Sequence, residues 1–249
     1  MQRYKNNICY ANLLNRPNVE FYPGKTCNTP VQALAVVTVS RAASVTTICV
    51  ITREFVPLQT ILELTEMTGK TREQYDAVVS RCRRTFIAKM GDYGPSWRLM
   101  RPSTVTDQIF IKAARIRQLE TSGVTAVGEG VEPEFMAIIN YGIVGMIQLE
   151  QPSTLAIDMS ADEALAEYDN HITATRDLML AKNTDYNEAW RDMLVSSFTD
   201  IILTKLIRVK HIEANAGVTA VSEGIASNYQ DMINYAVFAL IKLGEVAVR

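Results

Sequence analysis

Lys89-Met90-Gly91-Asp92-Tyr93-Gly94-Pro95-Ser96-Trp97-Arg98 returns 93 residues later as Lys182-Asn183-Thr184-Asp185-Tyr186-Asn187-Glu188-Ala189-Trp190-Arg191. Working outward from this pair, residues 75–120 align with 168–213 at the same offset, and 17 of the 46 pairs are identical. After one extra residue in the second copy, residues 123–149 align with 217–243, with 12 of 27 pairs identical. The period is too long for a solenoid unit, so it marks the tandem duplication of one small domain.

Each copy predicts three helices. The first runs from Thr71 to Met90 and from Ala161 to Asn183. The second opens at Thr104-Val105-Thr106-Asp107 and at Ser197-Phe198-Thr199-Asp200, which match a Ser/Thr-x-x-acid cap, and reaches Glu120 and Glu213. The third, Glu134 to Glu150 and Asn228 to Glu245, is apolar nearly all round, as a buried helix should be. Between the first two helices Gly94 and Pro95 interrupt the first copy, whereas Asn187 and Glu188 leave room for a helical turn in the second. Val124 to Val127 and Val218 to Val221 are too short for helices and predict a small strand in each copy.

The expected fold class is therefore all-α: two homologous three-helix units, 67–150 and 161–249, joined by a linker at 151–160. A domain of about 80 residues buries little surface alone. Packing the same patch of each unit about a pseudo-two-fold axis would solve this as a homodimer does, giving an internal pseudo-dimer with room for further homo-oligomers. The third helices should lie at that interface, with the two Val-Thr-Ala-Val segments pairing across it. Residues 1–66 stand outside the repeat. They are either read-through ahead of a start at Met67 or a genuine extension whose Val and Thr favour strand. Removing them should leave a folded protein.

Composition narrows the classes. A chain that is 48% hydrophobic and 21% charged is neither disordered nor a disulfide scaffold. A net charge of -2 argues against a dedicated nucleic-acid binder. Cys9, Cys27, Cys49 and Cys82 form no close ligand pair, so they read as reduced thiols of a cytoplasmic protein rather than a zinc site. The most apolar stretch, Val31 to Ile51, carries Arg41 at its middle and predicts no membrane span.

Retention between the copies is uneven. Apolar positions drift, as Phe110 to Leu203 and Met136 to Gln230, because cores accept swaps of similar volume. Charged and polar ones persist: Lys89/Lys182, Asp92/Asp185, Tyr93/Tyr186, Trp97/Trp190, Arg98/Arg191, Lys112/Lys205, Arg115/Arg208 and Asn140/Asn234. Lys and Arg three apart on one helical face can grip phosphate oxygens, the Arg bidentately. Trp or Tyr can stack on a base, although packing roles are the commoner use. Asp107/Asp200 and Glu129/Glu223 are retained as well, as caps or as metal ligands. Asp231 replaces Ala137 and shares a helical face with Asn234 and Tyr235. With Asp185, Asp200 and Glu223 it could complete an oxygen-ligand magnesium site, which would put any chemistry in or nearer the second copy.

Together, Lys-x-x-Asp-Tyr-x-x-x-Trp-Arg, Ser-x-x-Thr-Asp, Lys-x-x-Arg, Glu-Gly and Asn-Tyr resemble the nucleotide modification associated domain 1 family, twice over, across residues 75–245. The resemblance implies a role near nucleotide metabolism or base modification and assigns no catalytic residue. More loosely, the helices resemble all-helical MazG-type nucleotide pyrophosphatases. The Glu-x-x-Glu of that type is missing from both first helices, and Glu129-Gly130-Val131-Glu132 sits at a loop. The leading expectation is binding of a nucleotide or phosphorylated base-modification intermediate, with magnesium-dependent phosphohydrolysis as its catalytic form. The alternative is a non-enzymatic helical binding or assembly module whose retained charges are internal ion pairs.

Overall fold

The computed structural model describes residues 19–23, 33–41, 44–52, 58–123, 128–152, 156–219 and 223–247. They fall into two compact units, one of residues 1–72 with 180–187, the other of residues 73–179 with 188–249.

In the first unit the leader forms an antiparallel meander: β1 (Val19–Pro23), β2 (Ala33–Arg41) and β3 (Ser44–Thr52), in that order. Val36 of β2 faces Tyr22 of β1 and Cys49 of β3. The Val and Thr content favours this extended form. From residue 58 onward the described chain is helical, as expected for the repeat: α1 (Leu58–Tyr93), α2 (Pro102–Ser122), α3 (Glu132–Glu150), α4 (Ala161–Tyr186), α5 (Val195–Ala214) and α6 (Ile225–Ala247). Two short 3-10 turns, Ser96–Leu99 and Ala189–Asp192, carry the tryptophans.

Some boundaries differ from expectation for clear reasons. α1 begins at Leu58 and runs through Met67, because no proline lies between Pro57 and Tyr93 and Gly69 only weakens a helix. The expected caps at Thr104 and Ser197 lie inside helices. α2 starts two residues earlier at Pro102, whose fixed φ and missing N–H suit the first helical position, and neither α2 nor α5 has a side-chain cap. A capping box does open α4: the Ser160 N–H donates to Glu163 Oε2 at 2.8 Å and the Glu163 N–H to Ser160 Oγ at 3.2 Å. Asn187 and Glu188 end α4 in left-handed backbone, at φ 48° and 54°, where a further helical turn was expected. Residues 124–127 and 220–222 lie outside the described residues, and with them the expected ribbon.

The core of the second unit is made by like meeting like. α3 packs on α6 and α2 on α5, while α2 also packs on α3 and α5 on α6. The third helices thus meet at a shared interface, as expected. Two glycines let them approach. A Cβ on Gly142 would stand 2.7 Å from Ile233 Cγ1, and one on Gly145 would stand 2.7 Å from the Tyr229 ring. Tyr229 is fully buried and its hydroxyl is held 2.8 Å from Thr106 Oγ1, so the ring cannot swing away. Gly145→Ala should therefore destabilise by about 1–3 kcal/mol through overpacking. A drop of several degrees in the melting temperature of the full chain checks this; an unchanged melt would mean the helices can part.

The polar bonds across the interface come in reciprocal pairs. The Tyr75 hydroxyl donates to Asn234 Oδ1 (2.9 Å), and the equivalent Tyr168 hydroxyl to Asn140 Oδ1 (3.0 Å). Arg83 reaches Asp169 at 2.7 Å and Arg176 reaches Asp76 at 3.0 Å. Thr106 donates to Glu213 (2.8 Å) and Thr199 to Glu120 (2.9 Å). Asp107 pairs with Lys210 and Asp200 with Arg117. Each of these four contacts has its mirror, whereas the Thr106–Tyr229 contact has none, because Phe135 stands at the place equivalent to Tyr229.

Burial pushes the Glu213 and Glu120 carboxyls above the ordinary carboxylate range, partly offset by the threonine hydroxyls. Folding then favours the protonated forms, so between the ordinary and the raised pKa the native state binds more protons and stability falls as pH rises. Glu213→Gln, which keeps an acceptor for Thr106, should raise the melting temperature near about pH 7 and shrink the gain seen on acidification. Melting curves at two pH values check this; a loss of stability at the higher pH would refute it.

Candidate functional site

The second unit holds a cavity of about 400 Å³, within the usual range for small-ligand sites. It lies in the first half. The end of α1 contributes Lys89, Met90 and Tyr93, and the 3-10 turn Trp97. α2 supplies Lys112, and α3 supplies Glu134, Ala137, Asn140, Tyr141 and Val144. Local sequence explains the arrangement. Gly94 takes φ 62° and ends α1, which frees the chain to turn Trp97 inward, where it is 5% exposed beside Phe86. Asn140 is held from both ends, donating to the Cys82 carbonyl at 3.1 Å and accepting from Tyr168. Tyr93 is half exposed at the rim, and partial burial with Tyr141 and Asp92 nearby raises its phenol above the ordinary value.

The charges inside are largely spoken for. Glu134, 3% exposed, sits between Lys112 (3.1 Å) and Arg115, and Arg115 also lies 3.6 Å from the exposed Glu129. Sequence reading missed Glu134 because its counterpart is Asn228, so it left no repeat signal. Of the first-half residues expected to bind, Lys89, Tyr93, Trp97, Lys112 and Asn140 line the cavity. Arg115 stands behind it on Glu134. Asp92 is exposed and is not in the lining.

Arg98 is a structural group. It is 2% exposed and bonds Asp158, Gln148 and the carbonyls of Gln151 and Pro152, clamping the linker. Arg191 is used similarly, held by Glu188, Glu245 and Gln74 and lying over the Trp190 ring.

At two aligned positions the second half carries larger side chains. Phe238, which stands where the first half has Val144, stacks on Trp190 with centroids 4.3 Å apart and planes 3° apart. Asp231, which replaces Ala137, accepts from Lys205 at 2.6 Å, with both side chains largely buried. Asp231 is the counterion that Lys205 needs once Glu134 has become Asn228.

Asp231 is on Lys205, Asp200 is on Arg117, and Glu223 is exposed. Asp185 belongs to the other compact unit, with Lys182 and Tyr186, and both Asp185 and Tyr186 are exposed. Among the described residues no group of three or more His, Cys, Asp or Glu is placed to hold a metal ion. Arg208 is exposed on α5, and Asn234 is buried in the Tyr75 bond.

The family model of nucleotide modification associated domain 1 matches residues 89–149 and again 182–243. The chain carries two tandem copies of nucleotide modification associated domain 1. Both matched segments run from the lysine at the end of the first helix to the third helix. The cavity of the first domain therefore falls largely inside the family's own boundaries. No curated protein and no solved structure matches the chain. The looser similarity to MazG-type pyrophosphatases gains no support from these comparisons, nor from the scattered acids. No helix among the described residues is long and apolar enough to cross a membrane.

Proposed function

We propose that the chain binds one nucleotide-like molecule, in the cavity of its first domain, and that the second domain is a structural partner whose own site has been filled from within. The observation that carries this reading is the contrast at two aligned positions. Val144 and Ala137 leave a cavity in one half, while Phe238 and Asp231 occupy the same places in the other. A stacked ring on Trp190 marks Trp97 as the surface for a planar base. The family's association with nucleotide modification favours a base or nucleotide as that planar group.

The reading of a purely structural ion-pair module has its own support. Asp107, Asp200, Lys205 and Arg191 all pair internally, and such pairs explain their retention without a ligand. It leaves the open cavity lined by Lys89 and Tyr93 without a role. A thermal-shift screen of the full chain against nucleosides and nucleotides, with and without magnesium, tests the proposal. A ligand of the native state raises the melting temperature in proportion to its saturation. A flat response across the screen at millimolar ligand would leave the structural module as the reading.

A further inference from the structure

Resting on that reading, we infer that the cavity selects a nucleoside monophosphate: a base stacked on Trp97 with one phosphoryl group at Lys89, and no room electrostatically for a triphosphate.

The charge count carries this. The cavity wall holds two cations, Lys89 and Lys112, and two acids, Glu129 and Glu134. Lys112 is already committed to the buried Glu134 carboxylate at 3.1 Å. Arg115, just behind, is shared between that same carboxylate and Glu129. The two cations of α2 and the two acids thus cancel. Lys89 is left, and it has no acid partner among the described residues. It is exposed at the rim, where a phosphoryl group keeps part of its hydration. A site with one uncommitted cation matches one phosphoryl group. A triphosphate would bring two further groups against Glu129 and Glu134, where like charges repel.

The second half supplies the ring end independently. Position 238 presents a flat aromatic ring to Trp190, face to face, and the equivalent Val144 presents only two methyl groups towards the Trp97 side. The missing volume is that of a planar ring. Trp97, Tyr141 and the soft side chains of Met90, Met100 and Met136 line it, an apolar slot suited to a base. The apolar part of the wall is therefore a ring slot, the Lys112–Glu134 pair is internally compensated, and the rim is a single-cation seat.

Calorimetric titration of the full chain with adenosine, its 5′-monophosphate and its 5′-triphosphate, repeated with the uridine series, tests this. In at least one series the monophosphate should bind tenfold or more tightly than both the nucleoside and the triphosphate. Lys89→Gln should remove the advantage over the nucleoside. A triphosphate that binds as well as the monophosphate or better would overturn the inference and leave the binding reading intact. So would a monophosphate advantage that survives Lys89→Gln. Absence of binding by every member of both series would overturn both.

Discussion

Asp231→Ala is expected to cost roughly 3 kcal/mol of stability, at the lower end of what breaking a buried ion pair costs. Lys205 and Asp231 meet at 2.6 Å with side chains only 16% and 13% exposed. Removing the carboxylate leaves an ammonium with little water and no Glu134 to turn to, since Asn228 stands in that place. For a chain of this size the loss corresponds to about 6–12 °C in melting temperature. A double variant, Lys205→Met with Asp231→Ala, should recover much of it, because no charge is then left buried. The result separates a counterion from a metal ligand. A metal ligand's removal should instead stabilise the metal-free chain by relieving repulsion among acids, and added magnesium should widen the gap. Equal melts of wild type and Asp231→Ala would contradict the assignment.

Val144→Phe is the second large effect. It copies into the first half the residue that fills the second, at a position whose homologue already tolerates the ring. The chain should stay folded, with a melting temperature near that of wild type, and lose at least 100-fold in affinity for whatever the screen finds. The control is Gly91→Ala, a change on exposed α1 surface with open space around it, which should leave binding alone. Retained affinity in Val144→Phe would place the ligand elsewhere.

The duplication, the helical class from residue 58 onward and the meeting of the third helices were legible because they rest on periodicity and identity at fixed offsets. The asymmetry between the halves was not, because aligned identities report what the copies share, whereas the proposed site rests on what they do not. Ala137 against Asp231 was visible, but its pairing with Lys205 was not. Charge compensation between Glu134 and Asp231, one helical turn apart on aligned helices, needs both contacts in view before either makes sense. Arg98 and Asn140 show the same limit. Their retention signalled shared work, but only the bonds to the linker carbonyls and to Tyr168 say that the work is largely structural. The missed start of α1 has a plainer cause: the change in composition near Met67 is not a change in backbone conformation.

The central claim is one site per chain, in the first half. Calorimetric titration of wild type and Val144→Phe with the tightest nucleoside monophosphate tests it most directly. The account predicts a stoichiometry of one for wild type and no measurable heat for the variant. Two equivalent sites in wild type, or an undiminished single site in Val144→Phe, would contradict it.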